Sequence, residues 1–159
     1  MARLRAVLLG LPRWLCAILA VAYAICIFNL SSRTLPSGGA PWFGYFTNLA
    51  HAPLFGGFAV LLGLVLWPRE GSGLSLPPRL LSAWGLAVLY AISDEIHQSF
   101  TPGRSSSAVD VMTDALGAAL ALLILRRVMA PEIKARAWHY ASLITAILVS
   151  AFVAYAGPW

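Results

Sequence analysis

Asp94, Glu95, His97, Gln98, Arg104 and Asp110 fall within seventeen residues of a chain that is otherwise 60% hydrophobic and only 11% charged. Asp114 follows one helical turn later, so four of the six acidic residues stand at 94, 95, 110 and 114. Grouped carboxylates suit three chemistries. With a histidine they can move protons as general base and acid. Alone they can hold a hard divalent cation through their oxygens. An arginine among them offers a planar fork that matches a carboxylate or a phosphate. Glu95 and Asp110 are the candidate bases and His51 the candidate acid. Arg104, Gln98, Asn48, Asp94, Asp114 and Ser31 are the candidate ligand-binding residues. No metal site is assigned; a divalent cation on Asp94, Glu95, Asp110 and Asp114 is the one cofactor the carboxylates suggest.

Each of these residues also has a plainer reading. Arg104 can be a solvated loop charge, and otherwise pairs with Asp94, Glu95 or Asp110. Asp110 follows Ser105–Ser107 and can serve as a helix N-cap, accepting from free backbone N–H groups. His51 can be a satisfied interfacial histidine and His97 a loop-end residue. Asn48 and Gln98 can act as interhelical hydrogen-bonding glue. Asp114 lies beyond the first turn and has no capping role open to it, so it must be paired, protonated or hydrated.

Apolar segments position these groups. An ordinary soluble domain has about a quarter of its residues charged; with 11% charged and a mean hydropathy of +0.79, this is an all-α polytopic membrane protein. Five spans are expected. The first runs from about Arg13 to Leu30, behind the charged lead-in Arg3 and Arg5, and the second covers about Thr47–Trp67. The third begins near Leu80 and runs through Ala91 into the acidic cluster. The fourth covers about Ala108–Leu125, and the fifth Trp138–Tyr155. About 20 residues suffice to cross a hydrocarbon core. Met1–Arg5 with the following apolar run and Ala20-Val21-Ala22 also resembles a secretory signal; an uncleaved first span is the expectation. The aromatics Trp42, Phe43, Tyr45 and Phe46, and Trp138, Tyr140, Tyr155 and Trp159, read as interfacial belts.

The net charge of +5 does not mark a nucleic-acid protein, because its cations are scattered between the apolar runs. Arg3, Arg5, Arg13, Arg69, Arg79, Arg126, Arg127, Lys134 and Arg136 share one side of the membrane, and only Arg33 and Arg104 stand opposite. Nine against two places the N-terminus in the cytoplasm and the acidic cluster and C-terminus outside. Cys16 and Cys26, ten residues apart in one helix, lie roughly 15 Å from each other. That is too far for a disulfide, and both read as packing residues.

In this topology the polar residues of four spans reach one level. Ser31 and Ser32 close the first span, and Asn48 and His51 open the second on adjacent positions of one helical face. Asp94 and Gln98 share a face of the third, with Glu95 about 100° away. Asp110, Thr113, Asp114 and Gly117 form a stripe on the fourth, Asp114 about 6 Å deeper than Asp110. Gly117, Ala118 and Ala121 would let that helix approach its neighbours closely. The expected site is an outward-opening polar pocket roofed by Pro102–Ser107.

With those residues named, the chain resembles the VanZ-like family, small membrane proteins similar to a teicoplanin-resistance protein. The family pattern D/S-E-x-x-Q-x-F-x-P-G-R followed by D-x-x-x-N-x-x-G matches Asp94, Glu95, Gln98, Phe100, Pro102, Gly103, Arg104, Asp110 and Gly117. Asp114 stands where the pattern has Asn. Asn48-x-x-His51-x-x-x-Phe55 is similar to its K-x-x-H-x-x-x-Y/F, with Asn in place of Lys, and Phe28 with Ser31-Ser32 resembles its F-x-x-S-S. The resemblance covers about residues 14–128, a four-span core within a single membrane domain of 1–159; the helix at 138–156 is additional. It implies a bacterial inner-membrane protein linked to glycopeptide resistance.

Two functions are expected. In one, the pocket binds or modifies a lipid-linked or anionic envelope headgroup, Arg104 gripping the anion while His51 and Gln98 orient it; the partners are membrane lipids and a lipid-linked cell-wall precursor. In the other, an intramembrane carboxylate- or metal-dependent enzyme acts on a lipid headgroup or cell-wall precursor. No HExxH or GxSxG motif supports a specific mechanism. Polar groups confined to one end of short spans give transport no through-path. Substrate and oligomeric state are not set by the sequence.

Overall fold

The computed structural model describes residues 2–33, 41–68, 76–104 and 106–130; the side chains of 41–48, 76 and 77 lie outside that description. Within these residues the protein is all-helical: α1 (Ala2–Gly10), α2 (Arg13–Ser31), α3 (Pro41–Leu66), α4 (Leu76–Gln98) and α5 (Ala108–Met129). Three helical stretches are long and apolar enough to cross a membrane: Arg13–Ser31, Leu49–Leu66 and Ala108–Met129. α4 has comparable length and packs in the same bundle, but Asp94 and Glu95 near its end make it less apolar. The fifth expected span, 138–156, falls outside the described residues, as do the aromatic side chains of both expected belts.

Two local expectations change. The charged lead-in forms a helix, α1, because Ala, Leu and Arg are good helix formers. It ends before Pro12, which has extended backbone geometry and no N–H to continue the ladder. The helix that carries the second span, α3, begins before the expected span does, at Pro41, a residue whose missing N–H is harmless in a first turn.

α3 and α5 form the central pair, α4 packs against both, and α2 lies mainly on α3. The core is built from small side chains: Ala20, Ala59, Ala83, Ala87, Ala91 and Ala118 are all buried, interleaved with Ile27, Phe55 and Leu122. Lipid is as apolar as leucine, so helix association in a membrane relies on close packing and interhelical hydrogen bonds. Both occur here. Tyr90 Oη donates to the Ala24 carbonyl (2.6 Å), linking α4 to α2, and Trp84 Nε1 donates to the Ala115 carbonyl (2.9 Å), linking α4 to α5. Large apolar side chains face outward instead; Leu81, Leu89, Ile92 and Ile96 form a stripe along α4. Cys16 is buried as expected, but Cys26 is exposed on the outer face of α2.

At the N-terminal end of the bundle, Arg13 Nη2 and Arg79 Nη1 donate to the carbonyls of Trp67 and Leu66 (3.1 and 3.0 Å). The carbonyls at the end of α3, which lack helical partners, thereby gain two cations.

The tightest contact joins α3 to α5 at Gly117. A Cβ there would lie 2.6 Å from Ala52 Cα and collide with the Ala52 carbonyl, backbone atoms that cannot swing aside. Gly117→Ala is therefore expected to cost about 1–3 kcal/mol or more through forced separation of the helices. Gly85, whose added Cβ would meet nothing within 4 Å, is the control: Gly85→Ala should raise stability by up to about 1 kcal/mol. Thermal melting of the two variants in detergent checks the pair, and equal melting points would contradict this packing.

Candidate functional site

The polar ends of α2, α3, α4 and α5 meet at one end of the bundle. α4 supplies Asp94, Glu95 and Gln98, all buried, and α5 supplies Asp110, Thr113 and Asp114, also buried. Asp94 Oδ2 accepts from Ser31 Oγ (2.7 Å) and from Gln98 Nε2 (2.9 Å), so the i,i+4 pair expected within α4 also ties that helix to α2. His97, at the exposed edge, meets Ser32 Oγ through Nε2 (3.0 Å) and lies against the ring of Phe28. His51 Nδ1 sits 3.2 Å from Oδ1 and 3.5 Å from Oδ2 of Asp114, only the longer approach having hydrogen-bond geometry. Asp114 is 1% exposed and His51 15%, so this pair closes the inner end of the cluster. The Asn48 side chain lies outside the described residues.

Two expectations are corrected. Asp110 is not the N-cap of α5: Ser107 is, its hydroxyl accepting from the Val109 N–H at 3.2 Å. Ser107 sits at the extended residue before the helix, whereas Asp110 is already in the first turn, where its charge still suits the helix dipole. Arg104 forms no salt bridge with Asp94, Glu95 or Asp110 and instead donates from Nε to the Arg33 carbonyl and from Nη2 to the Leu30 carbonyl (both 3.1 Å). These carbonyls close α2, and a guanidinium satisfies two of them at once. Gly103, with φ 77°, turns the chain so that the arginine reaches them.

Glu95 is the residue whose surroundings sequence spacing conveyed least. Its Oε2 accepts the Ser107 N–H at 2.7 Å, holding the start of α5 against α4. Among the described residues, its Oε1 has no hydrogen-bond partner, and the same is true of Asp94 Oδ1, Asp110 Oδ1 and Asp114 Oδ1. Asp94, Glu95 and Asp110 therefore each leave one buried oxygen without a partner among the described residues, at one end of the bundle, while Asp114 Oδ1 faces His51. A cavity of about 250 Å³ reaches Glu95 between α4 and α5. The four carboxylates do not form a metal-ligand set: among the described residues no three His, Cys, Asp or Glu side chains are grouped to hold an ion.

Long apolar helices with outward apolar faces and one polar, carboxylate-rich end define a multi-pass helical membrane protein. The model of the VanZ/LLP1 family matches residues 13–130, most of the chain, and the protein belongs to that family. No curated protein and no solved structure matches it.

The His51–Asp114 pair is open to a double-mutant test. His51→Ala leaves a buried carboxylate without its partner, a loss of about 1–3 kcal/mol. Asp114→Asn keeps a hydrogen-bonding amide without the charge and is expected to be tolerated. Combined with Asp114→Asn, His51→Ala should cost much less, a coupling of about 0.5–3 kcal/mol. Additive melting-point shifts would show that the two side chains do not interact. The Arg104 clasp gives a second test. Arg104→Ala should lower stability by about 1–3 kcal/mol, and Arg104→Lys should restore only part, because an ammonium lacks the fork that spans two carbonyls. Full rescue by lysine, read in the same melts, would mean that only the charge matters.

Proposed function

We propose that this protein binds or modifies the headgroup of an envelope lipid at the carboxylate–histidine cluster, on the non-cytoplasmic side of a bacterial inner membrane. The observation that supports this reading is the buried oxygen on each of Asp94, Glu95 and Asp110 that has no hydrogen-bond partner among the described residues. An unsatisfied polar group in an apolar medium costs several kcal/mol, and ionisable residues at membrane depth mark functional sites. The open groups are acceptors, which favours a ligand that brings hydrogen-bond donors. Arg104 would act as a positioning residue, tying the turn at 101–104 to α2, and not as the grip on an anion, since its Nε and Nη2 bond the end of α2. Gln98 and Ser31 would orient Asp94. The orientation follows the nine-to-two distribution of cations, and the link to glycopeptide resistance follows the family resemblance.

A second reading is favoured by the His51–Asp114 pair near Glu95. A histidine held by a carboxylate, with another carboxylate open beside it, is a set able to relay a proton. In that case Glu95 would act as base and His51 as acid on a headgroup hydroxyl or amine.

Comparative mass spectrometry of lipids and cell-wall precursors tests both readings, using cells that express wild type, Glu95→Gln or His51→Gln. Modification predicts a composition seen with wild type alone. Binding without modification predicts unchanged lipid masses but reduced surface labelling by fluorescent teicoplanin in wild-type cells only. Identical lipids and identical labelling in all three strains would overturn the proposal.

A further inference from the structure

A cavity reaches Glu95 from the side of the bundle. The cavity that contains it lies between α4 and α5 and is lined by Ile92, Glu95, Ile96, Ser106, Ser107 and Val111. Ile92 and Ile96 are 41% and 57% exposed and continue the outward apolar stripe of Leu81 and Leu89. The outer lips of the cavity are thus the surface that acyl chains would touch, while its inner wall is a carboxylate 95% buried with Oε1 unpartnered. An apolar mouth leading to a polar end suits an amphiphile. Resting on the lipid-headgroup reading above, we propose that a membrane lipid carrying a primary ammonium enters sideways between α4 and α5 and sets that ammonium on Glu95.

Size and charge each narrow the ligand. A volume of about 250 Å³ equals the liquid share of roughly eight waters and falls below the 300–1,000 Å³ of sites for drug-sized ligands. It has room for a small headgroup and not for the whole sugar–peptide portion of a cell-wall precursor. Among the described residues, no Lys or Arg lines it. Asp94, Asp110 and Asp114 stand in the same cluster, with His51 as the facing titratable base on α3 and Arg104 bonded to the end of α2. This charge balance favours a cation over a phosphate or a neutral alcohol. The hydroxyls of Ser106 and Ser107 offer further hydrogen bonds at the mouth.

The test uses the full-length protein in nanodiscs of phosphatidylcholine doped with either phosphatidylethanolamine or diacylglycerol, with retained lipid counted by native mass spectrometry. Phosphatidylcholine carries the same headgroup charges but no N–H, so a charged hydrogen bond to Glu95 should favour phosphatidylethanolamine by about tenfold. Glu95→Gln should lose most of that preference. Ile96→Trp, which fills the mouth from an exposed position, should abolish retention at an unchanged melting temperature. Equal retention of phosphatidylethanolamine and phosphatidylcholine by wild type, or preferred retention of diacylglycerol, would overturn the ammonium assignment. Wild-type retention by Ile96→Trp would overturn the sideways route; if the cellular lipid comparison still separated Glu95→Gln from wild type, the broader headgroup reading would stand without this one.

Discussion

The contact on which the remaining geometry depends is the approach of two backbones, α3 at Ala52 and α5 at Gly117. Nothing between lipid and helix drives these surfaces together, so the association comes from dispersion at short range and falls off quickly with separation. One added methyl at Gly117 would occupy the space of the Ala52 backbone. His51 is the neighbour of Ala52, and Asp114 lies one helical turn before Gly117. The close approach is therefore what brings His51 to within 3.2 Å of Asp114. A structural glycine and a functional pair are consecutive consequences of one contact.

Around that pair the polar residues divide by task. Ser31 with Asp94 and Gln98, Arg104 with the carbonyls of Leu30 and Arg33, and Ser107 with Glu95 each tie two elements together. Each tie uses one side of a group and leaves the other. Asp94 and Glu95 each have one oxygen bonded inside the protein and one open. If bundle stability alone were served, apolar replacements of similar shape would do as well or better. Carboxylates that hold the fold with one oxygen and keep the other buried without a partner among the described residues are not explained by bundle stability alone.

The fold was legible in the sequence where composition and spacing decide it. Four helices, their order, and the convergence of Ser31, His51, Asp94, Glu95 and Asp114 follow from apolar run length and from polar residues confined to matching ends. What stayed hidden depends on distances between segments far apart in the chain. Arg104 has a fork that suits a carboxylate by its chemistry, but backbone carbonyls at the end of α2 compete for it, and only tertiary geometry shows that they lie in reach. Ser107 and Asp110 are both acceptable caps by residue type; the extended backbone at Ser107 selects it. The helix at Ala2–Gly10 was obscured because its arginines resemble a targeting lead-in, although they are helix formers. The sideways cleft at Glu95 has no linear signature, since it is bounded by residues of two helices and a loop.

The departures from the family pattern bear on what this cluster recognises. The pattern places Lys and Asn where this chain has Asn48 and Asp114. Losing one positive charge and gaining one negative makes the region two units more negative than the pattern would. In water such a difference would be screened within about a Debye length, but Asp114 is 1% exposed and Glu95 and Asp94 are scarcely more so. Low-dielectric surroundings magnify each charge, and among the described residues His51 faces Asp114 as a partner that can turn positive. The excess must then be met by protons or by a cation from outside the chain. The lipid ammonium proposed above would supply that charge together with N–H donors for the unpartnered oxygens. The proposed ligand would meet an electrostatic demand at the cluster and a steric one at the cleft.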